Sequence, residues 1–123
     1  MKKVKNLILI SILTLTSLSM LLVTSAEIQP RSSYESLTVS GAIVTGWVNK
    51  GSKYSAGFTS SNNSSCFIQV WVTTVYNKTN YNDSNWGYNK IETYRSFQGA
   101  PAGVSATHKG ELNGQTIDFG TYA

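Results

Sequence analysis

The sequence predicts an all-β protein: a small antiparallel β-sandwich or small barrel of about six short strands, ending in a C-terminal hairpin. Segments rich in β-branched and aromatic residues recur, with turn residues roughly every ten positions. No helical period is found in residues 27–123. Near the end of the chain, Asn113-Gly114 is the dipeptide typical of a two-residue type I′ hairpin.

The N-terminal segment has the pattern of a secretory signal peptide. Lysines close to the start precede an apolar run, Leu7 to Val23, and small residues follow up to Ala26. We therefore expect residues 1–26 to be cleaved and the protein to be secreted. A flexible arm over residues 27–36 should precede a β-domain over residues 37–123. The alternative is an uncleaved membrane anchor, which the hydroxyl side chains within the run disfavour.

The basic charge of the chain belongs mostly to the predicted signal peptide. The whole chain has a formal net charge of +4, whereas residues 27–123 hold seven basic and six acidic residues, a net charge of +1. So small an excess of positive charge is not typical of nucleic-acid binding, and no nucleic-acid partner is expected.

Cys66 is the only cysteine, so the domain must be stabilised by packing without an internal disulfide. A disulfide between two chains through Cys66 is one alternative. The apolar neighbours of Cys66 favour the other, a buried free thiol.

The first half of the domain shows three alternating segments. Leu37–Asn49 is predicted as one strand whose more apolar side chains, Ile43 and Trp47 among them, face inward. A half-buried strand follows around Tyr54–Thr59. Ser65–Tyr76 is the longest β-branched and aromatic segment and is predicted to lie inside a sheet. One of its faces, which includes Cys66, is expected to be core. The other is expected to be half-covered or a binding surface, and it carries Phe67, Gln69, Trp71, Thr73 and Val75.

The second half begins with a segment that has no period. Asn77–Gly87 is predicted as a polar loop. The next strand, Tyr88–Phe97, should turn Ile91 inward and its charged side chains outward. The Asn113-Gly114 turn then sets a register that pairs Leu112 with Gln115, Glu111 with Thr116, Gly110 with Ile117, Lys109 with Asp118 and His108 with Phe119. This register sorts one apolar face from one polar face, and a shift of one residue would destroy the sorting.

Catalytic and metal-binding chemistry find little support in the sequence. His108 is the only histidine, and the predicted register places Ser105 and Asp118 on the opposite face from it, so serine catalysis is not expected. Cys66 begins an apolar strand, which does not favour an activated thiolate. One His and one Cys do not fill a zinc or copper site, and Asn77–Asn85 contains a single carboxylate for calcium. We therefore expect no enzyme, no metal and no cofactor.

Aromatic side chains offer the best candidate for a functional site. Trp71, Tyr81, Trp86 and Tyr88 lie on or near the predicted loop and the second face of the central strand. Exposed Trp and Tyr beside Asn and Ser are typical of surfaces that bind a protein, a sugar face or a membrane interface. The competing interpretation is that these rings pack in the core.

The sequence thus predicts a secreted, non-enzymatic β-protein that binds a protein, glycan or cell-surface partner through these aromatics. In size and composition, a signal peptide followed by a small Gly- and aromatic-rich β-domain resembles the secreted bacteriocins of the lactococcin 972 type. That resemblance implies the alternative function of a bacteriocin-like or membrane-active toxin.

Overall fold

The computed structural model describes residues 33–123. The predicted signal peptide and most of the predicted arm lie outside the described residues. Every regular element in the described part is a β-strand, and there are eight: β1 Tyr34–Val39, β2 Ala42–Lys50, β3 Tyr54–Ser61, β4 Phe67–Tyr76, β5 Thr79–Gly87, β6 Lys90–Ser96, β7 Gly103–Leu112 and β8 Gln115–Tyr122.

The strands form two four-stranded antiparallel sheets. Sheet I has the order β1-β2-β3-β6, and sheet II has the order β5-β4-β7-β8. The sheets are in contact, with β1 near β8, β2 near β7, β3 near β4 and β6 near β5. The buried apolar side chains lie between them. Within residues 33–123 there is no helix with the length and apolarity needed to span a membrane.

The number of strands corrects the prediction of six. The segment Leu37–Asn49, predicted as one strand, reverses direction at Ser40-Gly41, where both residues have positive φ (46° and 82°). This is the requirement of a type I′ turn, and it makes β1 and β2 a hairpin. Strand β1 begins at Tyr34 and so includes the last three residues of the predicted arm.

The prediction of a loop over Asn77–Gly87 is also wrong, because most of this segment is strand β5. A two-residue turn at Asn77-Lys78, with φ of 50° and 62°, joins β5 to β4. The strand lies at the edge of sheet II, where one side of the backbone meets no other strand of the sheet. Polar side chains suit such an edge because they oppose pairing with another chain. The absence of an apolar period therefore did not indicate a loop.

Three other predictions are confirmed. Strand β4 is interior to sheet II, and the side chains from Ile68 to Thr74 on its predicted core face are fully buried, as is Cys66 just before the strand. Strand β6 buries Ile91 and exposes its neighbours Lys90 and Glu92. The C-terminal hairpin has the predicted register, from Leu112 opposite Gln115 to His108 opposite Phe119.

The inner face of β2 differs from the prediction. Ile43 is exposed and Trp47 is only half-buried, whereas the alternate residues Val44, Gly46 and Val48 are buried. Space between the sheets explains this arrangement. A Cβ atom on Gly46 would collide with the imidazole ring of His108 from sheet II. Since not even a methyl group fits there, the large side chains of β2 lie on the outer face.

Candidate functional site

The outer face of sheet II holds the two exposed tryptophans that the sequence singled out. Trp71 of β4 lies opposite Ser84 of β5, and Trp86 of β5 lies opposite Gln69 of β4. Residues opposite each other share a face, and so do residues two apart along a strand. Trp71 and Trp86 are therefore diagonal neighbours on one face, a relation that places positions about 7–8 Å apart.

Both indole rings are open to solvent. Trp71 is 44% exposed and Trp86 is 62% exposed. Within residues 33–123, no aromatic ring stacks on either indole. Burial of such rings by a ligand would therefore remove a large apolar area from water without breaking an existing ring contact.

Tyr88 lies at the end of the same face. It follows β5, is exposed, and contacts the ring of Phe67 edge-on with 5.7 Å between ring centroids. Phe67 is the first residue of β4. It is four residues from Trp71 and so lies on the same face. Tyr88 thus borders the outer face of sheet II.

Tyr81 belongs to a different surface. It is opposite Thr74, which is fully buried, so its side chain lies on the inner side of β5. Its ring contacts Phe97 at 5.4 Å and lies beneath the guanidinium of Arg95 at 5.2 Å. Arg95 donates two hydrogen bonds to the Asp83 carboxylate, at 2.9 and 3.0 Å, and these bonds raise the pKa of Arg95. These contacts link β5 with β6 and so give Tyr81 a packing role.

Tyr122, which the sequence analysis did not select as a site residue, belongs to the outer face with the tryptophans. It lies on β8 opposite Ser105 and is 54% exposed. Ser105 pairs with Thr73, which is two residues along β4 from Trp71. Trp86, Trp71 and Tyr122 therefore form a line, here named the aromatic diagonal, that crosses sheet II from β5 to β8. The Asn113-Gly114 register places Tyr122 opposite Ser105 on the polar face of the hairpin, but only the pairing of β7 with β4 brings it onto the face of Trp71.

Small polar side chains surround the aromatic diagonal. They come from β5, β4 and β7 and are Asn82, Ser84, Gln69, Thr73, Ser105 and Thr107. Thr73 donates a hydrogen bond to Asn82 Oδ1 at 2.8 Å, which fixes the orientation of that amide. The face therefore presents hydroxyl and amide groups next to exposed rings.

Charged side chains of this face lie on β7 and β8. Lys109 is opposite Asp118, and Glu111 is two residues along β7 from Lys109. Partial desolvation raises the pKa of Asp118, and the positive charge of Lys109 lowers it in part. With one cation and two anions, this part of the face has no excess of positive charge.

The outer face of sheet I carries a second set of aromatics that the sequence analysis missed. Trp47 stacks on Phe58 at 4.9 Å and on Tyr34 at 6.4 Å between ring centroids. The ammonium of Lys90 lies 5.6 Å from the ring of Trp47 and 5.4 Å from that of Phe58. Unlike the indoles of sheet II, the ring of Trp47 is already in contact with neighbouring rings and with the ammonium of Lys90.

His108, the one candidate for a catalytic base, is fully buried between the sheets. Its Nδ1 is 2.8 Å from Thr59 Oγ1, and its Nε2 is 2.8 Å from Thr121 Oγ1. Thr59 donates to the Gln69 carbonyl oxygen at 3.2 Å. Because that bond uses the Thr59 proton, Nδ1–H donates to Thr59 Oγ1 and Nε2 accepts from Thr121.

Burial lowers the pKa of His108 from 6.5 to about 4, because the charged imidazolium would lose its hydration. The ring also stacks on Phe119 at 5.1 Å. Ser105 and Asp118 lie on the opposite face of the C-terminal hairpin. The environment of His108 is thus that of a structural, neutral side chain that links the two sheets.

Metal ligands do not converge within the part of the chain that the structure describes. No group of three or more His, Cys, Asp or Glu side chains in residues 33–123 is arranged to hold an ion. Cys66 is a free, buried thiol.

Comparison with protein-family models, with curated proteins and with solved structures gave no match to this chain.

Proposed function

We propose that this protein is a secreted, non-enzymatic β-sandwich that binds a partner through the outer face of sheet II. Trp71 and Trp86 carry the proposal, because both are exposed on one face and neither has a ring partner among residues 33–123. Tyr88 and Tyr122 extend the same surface. The partner is a protein, a glycan or a cell surface, and no catalytic step or cofactor is involved.

Binding surfaces concentrate their energy in a few aromatic side chains that become fully desolvated. On the outer face of sheet II these are the indoles, and the hydroxyl and amide groups around them supply directional hydrogen bonds. The inner side chains of the same strands pack against sheet I. The surface is therefore held by a rigid support, which lowers the entropic cost of binding.

The test is tryptophan fluorescence of the domain, titrated separately with soluble glycans and with anionic lipid vesicles. The matched variants are Trp71→Ala, Trp86→Ala and, on the outer face of sheet I, Tyr94→Ala, which removes another exposed aromatic. A saturable change that both tryptophan variants lose and Tyr94→Ala keeps would support the proposal. Unaltered binding by both tryptophan variants would contradict it.

The alternative function, a bacteriocin-like or membrane-active toxin, makes a different prediction in the same titration. Exposed Trp and Tyr also partition into membrane interfaces. A blue shift with vesicles, dye leakage from them and growth inhibition of bacteria would favour the toxin. Inertness in the leakage and growth assays would reject it.

A further inference from the structure

We infer that the ligand of the outer face of sheet II is a neutral oligosaccharide that lies along the aromatic diagonal of Trp86, Trp71 and Tyr122. This inference rests on the proposed function and specifies the chemical class of the partner. It follows from the spacing of the three rings, from the groups between them and from the charge of the face.

The spacing favours an elongated ligand. Trp86 and Trp71 are on neighbouring strands and about 7–8 Å apart as diagonal positions. Tyr122 is two strands beyond Trp71 and is displaced from it by two residues along the strand direction. With strands about 4.8 Å apart, the two positions are about 12 Å apart. The diagonal is thus about 20 Å long, and a compact small molecule would reach only one or two of its rings.

The groups between the rings favour a saccharide. Ser84 and Thr107 are the cross-strand partners of Trp71 on its two sides. Ser105 is the partner of Tyr122, and Thr73 is in turn the partner of Ser105. Hydroxyl groups donate and accept hydrogen bonds. A sugar ring combines an apolar C–H face, which can cover an indole, with a rim of hydroxyl groups. The alternation of rings and hydroxyls along the diagonal matches that combination.

The charge of the face favours a neutral chain. Lys109 is accompanied by Glu111 and Asp118, so these three residues have a net charge of −1. An anionic polysaccharide or an anionic lipid surface would be repelled slightly, because attraction to such partners requires clustered Lys and Arg.

A protein partner fits the face less well than a saccharide. The buried centre of a protein interface is usually a continuous apolar region. On sheet II, polar side chains from Gln69, Thr73 and Thr107 separate the exposed rings. Binding there would bury several hydroxyl and amide groups, and each of them would need a partner.

The experiment is isothermal titration calorimetry of the whole domain with neutral oligosaccharides of two, four and six sugar units, namely cello-, manno-, malto- and chito-oligosaccharides. Oligogalacturonate and anionic vesicles serve as charged comparisons. We expect at least one neutral series to bind with an affinity that rises with chain length. Trp71→Ala should weaken binding of the six-unit chain about tenfold, the effect of losing one aromatic anchor.

Tyr122→Ala tests the direction of the diagonal. It should weaken binding of the six-unit chain several-fold and leave the two-unit ligand unchanged, because a short ligand spans only the tryptophans. Thr107→Arg, which places a bulky side chain between Trp71 and Tyr122, should also weaken binding of the six-unit chain. Tyr94→Ala, on the outer face of sheet I, should bind as the unmodified protein does.

Failure of every neutral series to bind would overturn the inference. If oligogalacturonate, vesicles or a protein bind in place of the neutral series, and Trp71→Ala loses that binding, the inference is overturned and the proposed binding face is supported. Binding of any of these ligands that persists in a Trp71→Ala/Trp86→Ala double variant would overturn the proposed function as well.

Discussion

At the centre of sheet I, several side chains that face sheet II are small, namely Gly46, Ser55, Gly57 and Thr59 of β2 and β3. The side chains of sheet II that face this central region are larger and include Val70, Val72 and His108. A Cβ atom on Gly57 would collide with Val72, and one on Gly46 would collide with His108. Side chains of sheet II thus fill the space that these two glycines of sheet I leave open, and in the reverse direction a Cβ atom on Gly110 of sheet II would collide with Val44 of sheet I.

The close approach of the two sheets leaves no room for a large ring at the centre of sheet I. Sheet I must place its large aromatics outside, where they stack on one another and under Lys90. Sheet II buries its aliphatic side chains and keeps its exposed tryptophans unstacked. On this comparison, the exposed aromatics of sheet II are the better candidates for a binding surface, because no other ring within residues 33–123 stacks on its two tryptophans.

The largest expected effect comes from breaking the complementary packing. We expect Gly46→Ala to destabilise the domain by about 3 kcal/mol, because the added methyl group collides with His108 and forces the sheets apart. Urea unfolding measures this loss. Gly99→Ala is the matched control, since a Cβ atom there comes no closer than 3.5 Å to Tyr76 and should change stability little. Equal stabilities of the two variants would refute the proposed tight approach.

The next largest effect is the pH dependence of stability that arises from His108, which is hydrogen-bonded to Thr59 of the other sheet. The pKa of His108 is lowered to about 4 in the folded protein, so the unfolded chain binds a proton more readily. Stability should therefore be complete above pH 6.5 and fall by up to about 3 kcal/mol as the pH drops from 6.5 to 4. The raised pKa values of Glu35 and Asp118 act in the opposite direction, because their protonation favours the folded state.

Proton NMR isolates the histidine contribution, because His108 is the only histidine of the chain. Its ring signals should titrate near pH 4 in the folded protein. A midpoint near 6.5 would mean that the ring is hydrated and does not bridge the sheets.

The smallest expected effect distinguishes the two outer faces. Trp47→Ala should cost about 2 kcal/mol, since it removes the stacking on Phe58 and Tyr34 and the cation–π contact with Lys90. Trp71→Ala should cost only about 0.5 kcal/mol, because its exposed ring has no such partner among residues 33–123. Comparison of urea midpoints at constant slope tests both values. A larger loss for Trp71→Ala would mean that its ring serves packing.

Local chemistry explains which parts of the fold were predictable. The Asn113-Gly114 turn and the strands around it were predicted residue by residue, because Asn-Gly favours positive φ and the two faces differ in polarity. The turn at Ser40-Gly41 was missed because the alternation of the sequence continues through it. A two-residue turn pairs Val39 with Ala42, so it changes which set of positions faces inward. For that reason Ile43 and Trp47 were assigned to the wrong face.

The candidate site was predictable in part, for a related reason. Trp71, Trp86 and Tyr88 share one surface, as their proximity in sequence suggested. Tyr81 is five positions from Trp86, and strand alternation places the two on opposite faces once the segment is a strand. The polar edge strand gave no periodic signal from which to predict this. Tyr122 joins the surface through pairing of β4 with β7 and β7 with β8, which sequence proximity does not reveal.

The three two-residue turns, at Ser40-Gly41, Asn77-Lys78 and Asn113-Gly114, have a consequence for how the chain folds. Each joins neighbouring strands into a hairpin, and isolated hairpins form in roughly 1–10 μs. Pairing of β3 with β6 and of β4 with β7 must instead close much longer loops. We therefore expect the docking of hairpins to limit the folding rate, so that mutations that disturb the β4–β7 ladder slow folding more than mutations in the turns.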